Sequence, residues 1–148
     1  MVKKLRKTNR VKHNTELLID GENIRAKKAG AIVQAASSQG ILHEAKVYGR
    51  QKDNSTRNWS DAARKHKISD IRLFGEPGKN KIDNKIMKDA RQVVDKCKNV
   101  DIVCIATSDK DYVPIIKELR SLGKRVVIIG EKHASVLLRE SCSRFILI

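Results

Sequence analysis

Six short apolar runs alternate with segments whose apolar residues recur at helical spacing, and this alternation restricts the chain to a layered α/β architecture. The runs cover residues 17–19, 42–48, 70–74, 100–106, 126–129 and 145–148. Helical patterns lie between them, over 25–39, 56–67, 82–94, 112–122 and 134–141. The first stops at Gly40 and the fourth at Gly123, both signals of a helix C-terminus. Trp59, Ala62 and Ala63 share the inner face of the second. Ile82, Ile86, Met87, Ala90, Val93 and Val94 recur at three- and four-residue spacing in the third. Residues 75–78, Gly-Glu-Pro-Gly, read as a turn. Strands joined through helices are parallel strands, so the expected fold is a three-layer α/β/α sandwich with a mainly parallel central sheet. The run over 100–106 is the most continuous and should be its central strand. With 148 residues and no internal repeat, the chain suits one core.

Charge narrows what such a domain meets. Lys and Arg number 32 against 17 Asp and Glu, a formal net charge of +15. Nucleic acid is the first partner this implies and an anionic membrane surface the second. No apolar stretch reaches the length of a membrane span or a signal-peptide core, which points to a cytoplasmic protein and away from membranes. Residues 1–14 carry Lys3, Lys4, Arg6, Lys7, Arg10 and Lys12 with no acid, and read as a flexible basic arm ahead of a globular domain over 15–148. A solvated tail or an address signal fits the arm equally well. Aromatics make up 3% of the chain, too few for a series of base-stacking platforms. Binding should therefore rest on phosphate contacts and be salt-sensitive.

Cys97, Cys104 and Cys142 have no CxxC spacing and fall in or near apolar elements, as in a reduced protein without a zinc site. The four histidines form no ligand pair. The phosphate loop GxxxxGK[ST], the dinucleotide turn GxGxxG after the first strand and the nucleophile elbow GxSxG are all missing.

The acids carry the chemistry. Asp20 closes the first run, and Gly21 after it lets the backbone turn while the carboxylate faces the crevice at the strand ends, where parallel sheets bind ligands. Asp109 and Asp111 follow the central run in Thr107-Ser108-Asp109-Lys110-Asp111, and Asp83 opens the helical pattern before it. Carboxylates gathered on one edge repel unless a hard cation sits among them. Each has a plainer reading. Asp20 and Asn23 suit a helix N-cap, one of Asp109 and Asp111 suits another, and Asp83 suits a first helical turn. One acid satisfies a cap, whereas two acids with Thr107 and Ser108 exceed that need. Metal-assisted phosphodiester cleavage requires such a set: carboxylates for one or two Mg²⁺, a metal-bound water as nucleophile, and cations for the phosphate charge.

Taken together these motifs resemble an NYN domain of the LabA-like group, within the PIN-like nuclease superfamily. The resemblance runs from about Leu17 to Leu147. It is carried by Leu18-Ile19-Asp20-Gly21-Glu22-Asn23-Ile24, by Lys81-Ile82-Asp83 leading to Asp89-Ala90, and by Thr107-Ser108-Asp109-Lys110-Asp111-Tyr112. Leu119-Arg120-Ser121-Leu122-Gly123-Lys124 and the stretch from Leu138 through Cys142 to Phe145 extend it. It implies a PIN-like fold and a Mg²⁺- or Mn²⁺-dependent ribonuclease, with Asp20, Asp83, Asp109 and Asp111 as the active set and Asn23 and Thr107 at positions the family keeps polar. The chain departs at Ser108, where the motif usually has Gly, at Lys110, where it has Ser, and at Ser143, where an acid often follows the Cys. None of these removes one of the four acids, but Lys110 inside the site would weaken cation binding or contact substrate.

The expectation is an endoribonuclease in which Asp20 and Asp109 ligate the metal directly, while Asp83 and Asp111 bind a second ion or orient water. Arg25, Lys79, Lys81, Lys85 and Lys110 are the candidate RNA phosphate contacts. Two rivals stand beside it: a catalytically weak or inactive RNA-binding module of the same fold, and an interaction domain whose acids only cap helices. Oligomeric state is left open, a homodimer included.

Overall fold

Each apolar run becomes a strand and each periodic segment a helix in the computed structural model, which describes residues 13–50, 54–74, 81–96 and 99–148. The strands are β1 (Asn14–Asp20), β2 (Ile41–Arg50), β3 (Ser69–Leu73), β4 (Ile102–Ala106), β5 (Arg125–Gly130) and β6 (Arg144–Leu147). The helices are α1 (Ala29–Gln39), α2 (Asn54–His66), α3 (Lys81–Lys96), α4 (Val113–Ser121) and α5 (Val136–Ser141). Strand order is β3-β2-β1-β4-β5-β6, and every pairing is parallel. The expected three-layer fold is therefore present. The expected arm over 1–14 meets the sheet at its last residue, since β1 starts at Asn14; residues 1–12 lie outside those described.

Strand alternation divides the core in two. Val103 and Ile105 of β4 join Leu18, Val126 and Ile128 under α3, α4 and α5. Ile102, Cys104 and Ala106 join Leu17, Ile19 and Val127 under α1 and α2. The helical faces follow the periodicities read from sequence: Ile82, Ile86, Ala90, Val93 and Val94 fill the first core, and Trp59 with Ala63 the second. The expected helix over 25–39 is instead a 3₁₀ turn (Ala26–Lys28) followed by α1. Arg25 is extended (φ −75°, ψ 145°), because the chain still has to leave the strand end there. Helix α5 starts at Val136, where the Ser135 hydroxyl accepts from Leu138 N at 3.2 Å and sets the boundary.

Right-handed parallel crossovers run in opposite directions from the centre of this sheet, so helices cover opposite faces on its two sides. The order reverses between β1 and β4, and the crevice at the carboxyl ends of those two strands is the ligand position of such sheets. Gly21 makes the exit from β1 possible. A Cβ there would stand 2.6 Å from the Tyr48 carbonyl oxygen and 2.9 Å from Val47 Cγ2. Cys104 and Cys142 are buried free thiols, burial pushing Cys104 up to about 12, while Cys97 lies outside the described residues. Among the described residues no helix is long and apolar enough to cross a membrane.

Candidate metal centre

Register builds the site. Ile19 pairs with Ala106, so Asp20 and Thr107 leave β1 and β4 side by side, on the face that packs against α3 and α4. Asp20 is fully buried. Its Oδ2 accepts from Asn23 Nδ2 at 2.5 Å, from Tyr112 Oη at 3.0 Å and from Thr107 Oγ1 at 3.5 Å. Its Oδ1 has no partner. Burial raises the Asp20 pKa, and the bonds from Asn23 and Tyr112 oppose that rise. Asp20 caps no helix: the N-cap of the 3₁₀ turn after it is Arg25, and that turn has no side-chain cap.

Asp83 lies in the first turn of α3, buried, with Oδ1 3.2 Å from Tyr112 Oη. Its carboxyl is pushed up to about 6, by burial first and then by the charges of Asp20 and Asp109. Asp109 is the N-cap of the 3₁₀ turn Lys110–Tyr112, its Oδ1 accepting from Asp111 N at 2.9 Å. Its own N–H donates to Thr107 Oγ1 at 3.2 Å. The capping reading thus describes one Asp109 oxygen. Exposed Asp111 completes the set: Asp83, Asp109 and Asp111 each offer a ligand atom within 4.8 Å of the others. Asp20 stands outside that set, tied to Asp83 through Tyr112. The sequence expectation paired Asp20 with Asp109, whereas the converging trio is Asp83, Asp109 and Asp111.

These residues fit a hard divalent cation. All donors are carboxylate oxygens, their mutual repulsion is relieved by positive charge, and Asp20 Oδ1 is a buried acceptor without a donor. Tyr112 is the site residue that sequence reading passed over. It looked like core at a helix start, but a buried tyrosine requires a partner for its hydroxyl, and acids one and three residues earlier supplied the hint.

The surrounding side chains sort by position. Lys110 is exposed and lines a groove of 550 Å³ with Asp83, Asn84, Met87, Asp111 and Leu137. Arg25 is exposed on the loop after β1. Lys85 pairs with Asp89 at 3.1 Å and faces another groove, on a different side of α3. Lys79 and the Lys81 side chain lie outside the described residues. Glu22 turns away to Arg50, 2.8 Å distant. The two polar departures have structural work. Ser108 Oγ accepts from Glu131 N at 2.8 Å, tying the β4 and β5 loops together as a glycine could not. Ser143 Oγ accepts from Val126 N at 3.0 Å at the amino ends of β5 and β6, at the opposite edge of the sheet from the acids.

Comparison with solved structures finds the same architecture in a protein of unknown function from Vibrio parahaemolyticus RIMD 2210633, with a TM-score of 0.72 and 19% identity over 93% of each chain. At that identity the likeness concerns the fold. GenD2 from gentamicin A biosynthesis gives a TM-score of only 0.41 and 14% identity, covering 80% of this chain and 27% of its own. No curated protein matches the sequence. A family model described as the NYN domain matches residues 14–148, from the first residue of β1 to the last of the chain, and the chain belongs to the NYN domain family.

Proposed function

We propose that this NYN domain is a divalent-metal-dependent ribonuclease of the LabA-like group, cutting RNA internally in the cytoplasm. NYN domains belong to a nuclease superfamily. The observation that carries the finer reading is the trio Asp83, Asp109 and Asp111, converging within 4.8 Å beside buried Asp20, in a chain of net charge +15. Bound Mg²⁺ or Mn²⁺ would supply Lewis acidity to a phosphodiester and a nucleophilic water at neutral pH. Asp83, Asp109 and Asp111 would hold it, with Asp20 adding a buried charge. Asn23 and Thr107 occupy Asp20 Oδ2, which leaves Oδ1 uncommitted. Lys110 and Arg25, with Lys79, Lys81 and Lys85, would offset phosphate charge. The apolar side of the 550 Å³ groove, from Met87, Val113, Pro114 and Leu137, would receive the sugar and base beside the reacting phosphate.

The test is cleavage of single-stranded and structured RNA by wild type, Asp20→Asn, Asp83→Asn and Asp109→Asn, with Mn²⁺, Mg²⁺ or chelator. Metal-dependent internal cleavage by wild type alone is expected. Equal weak cleavage by all four proteins regardless of metal would sink the reading. Tight, salt-dependent binding without cleavage would establish an RNA-binding module instead.

A further inference from the structure

The loop over 131–135, after β5, is fastened to the loop that carries Asp109 and Asp111. Ser108 Oγ accepts from Glu131 N at 2.8 Å, and Thr107 N donates to the Ile129 carbonyl oxygen at 3.0 Å. Gly130 permits this closeness, since a Cβ there would stand 2.8 Å from the Thr107 carbonyl oxygen. Arg139 braces the far side. Its Nη2 donates to the Lys132 carbonyl oxygen at 2.8 Å and its Nε to that of Ala134 at 3.1 Å. The same guanidinium lies over the Phe145 ring, 4.5 Å from its centre.

This braced backbone holds out two exposed side chains, Lys132 and His133. Among the described residues neither side chain has an ion pair or a hydrogen-bond partner. A lysine on a loop that is already fixed gives up only its own rotamers when it meets an anion, so the bracing favours binding. Val136 and Leu137 follow directly, 68% and 55% exposed. Leu137 also lines the 550 Å³ groove with Asp83, Lys110 and Asp111. Loop and metal centre therefore share one continuous surface, with exposed cations beside exposed apolar side chains.

We propose that this loop is a second phosphate seat for RNA, with Lys132 as its cation and His133 as a neighbouring N–H donor. The proposal rests on RNA as the substrate in the reading above, and not on its cleavage. The strand would leave the groove over Leu137 and Val136, with sugar and base against these apolar side chains and the next phosphate on Lys132. An imidazole ring can donate to a phosphate oxygen whether neutral or charged. An anionic membrane is the rival for a basic patch with exposed apolar residues. It is disfavoured because Asp83 and Asp111 line the same surface and would face the lipid headgroups.

Fluorescence anisotropy of short labelled oligouridylate and oligoadenylate, titrated with the full chain in chelator across a salt series, tests this. Lys132→Ala should lower the log–log salt slope by about one and weaken both oligomers alike. His133→Ala should weaken both as well. Lys124→Ala, just before β5 at the opposite edge of the sheet, should bind as wild type does. Four results would each overturn the proposal: unchanged binding in either loop variant, an equal loss in Lys124→Ala, no RNA binding by wild type, or Lys132-dependent retention on phosphatidylglycerol vesicles in place of RNA binding. Cleavage with Mn²⁺ is read separately. Unchanged binding in Lys132→Ala beside metal-dependent cleavage would remove the seat and leave the ribonuclease reading standing. Weakened binding in Lys132→Ala without cleavage by wild type would leave the seat on an RNA-binding module.

Discussion

Tyr112 donates its hydroxyl to Asp20 Oδ2 across 3.0 Å, joining the turn after β4 to the end of β1 inside a buried site. The same oxygen lies 3.2 Å from Asp83 Oδ1. Burial and the two carboxylates raise the Tyr112 pKa, so the phenol keeps its one proton and can donate to one acid at a time. Tyr112→Phe keeps the ring in the core but leaves both acids without this donor. We expect a loss of about 1–3 kcal/mol in chelator, read as a lower urea midpoint at unchanged slope. An unchanged midpoint would mean that water replaces the hydroxyl.

Stability should depend on pH through Asp83. Its folded carboxyl is pushed up to about 6 from 3.8, so the folded protein holds this proton more tightly than the unfolded chain. The stabilisation is fully present below the ordinary value and is lost as pH rises through the folded one. Between about pH 4.5 and 7.5 the metal-free protein should lose about 1–2 kcal/mol from this group, and Asp83→Asn should lack that loss. Mn²⁺ should reverse the trend by competing with the proton, with thermal melts at both pH values as the measurement.

Asp109 both caps and faces the acid trio, and two substitutions separate those roles. Asparagine caps as well as aspartate, so Asp109→Asn should fold with near wild-type stability. Asp109→Ala should cost about 1 kcal/mol, because Asp111 N loses its acceptor. Both should abolish the stabilisation that Mn²⁺ gives wild type. If only the alanine variant loses it, the carboxylate charge is irrelevant.

Gly21→Ala should destabilise by about 1–3 kcal/mol, since a Cβ 2.6 Å from the Tyr48 carbonyl oxygen forces β1 and β2 apart. Gly21 N also donates to that oxygen at 2.9 Å, so the shift breaks a bond at the strand exit. Calorimetric melting of the variant checks this.

RNA affinity should fall linearly on a log–log plot against salt, and Lys110→Ala should reduce the slope by about one. A slope unaffected by Lys110→Ala would remove that residue from the phosphate path.

Local patterns made the elements readable. The continuous apolar run over 102–106 and three- and four-residue spacing over 82–94 depend on neighbours in the chain, and the two cores follow them closely. The acids were readable because Asp20 closes β1 while Asp109 and Asp111 stand just past β4, and parallel strands point those ends one way. Tyr112 was not, because its partners Asp20 and Asp83 lie 92 and 29 residues away, and the neighbouring acids only hint that its hydroxyl is engaged. Starts of helices were misplaced where a 3₁₀ turn intervenes, as at Ala26–Lys28, since both helix types share the same apolar spacing over one turn.

Sequence by itself determined a parallel α/β domain, a strongly basic surface and four candidate acids. Only tertiary structure decided that Asp83, Asp109 and Asp111 converge within 4.8 Å while Asp20 is sealed behind Tyr112. The physical reason is range. Periodicity records which side of its own element a residue faces, whereas the distance between two carboxylates is set by strand register and crossover hand, which arise only when distant segments pack.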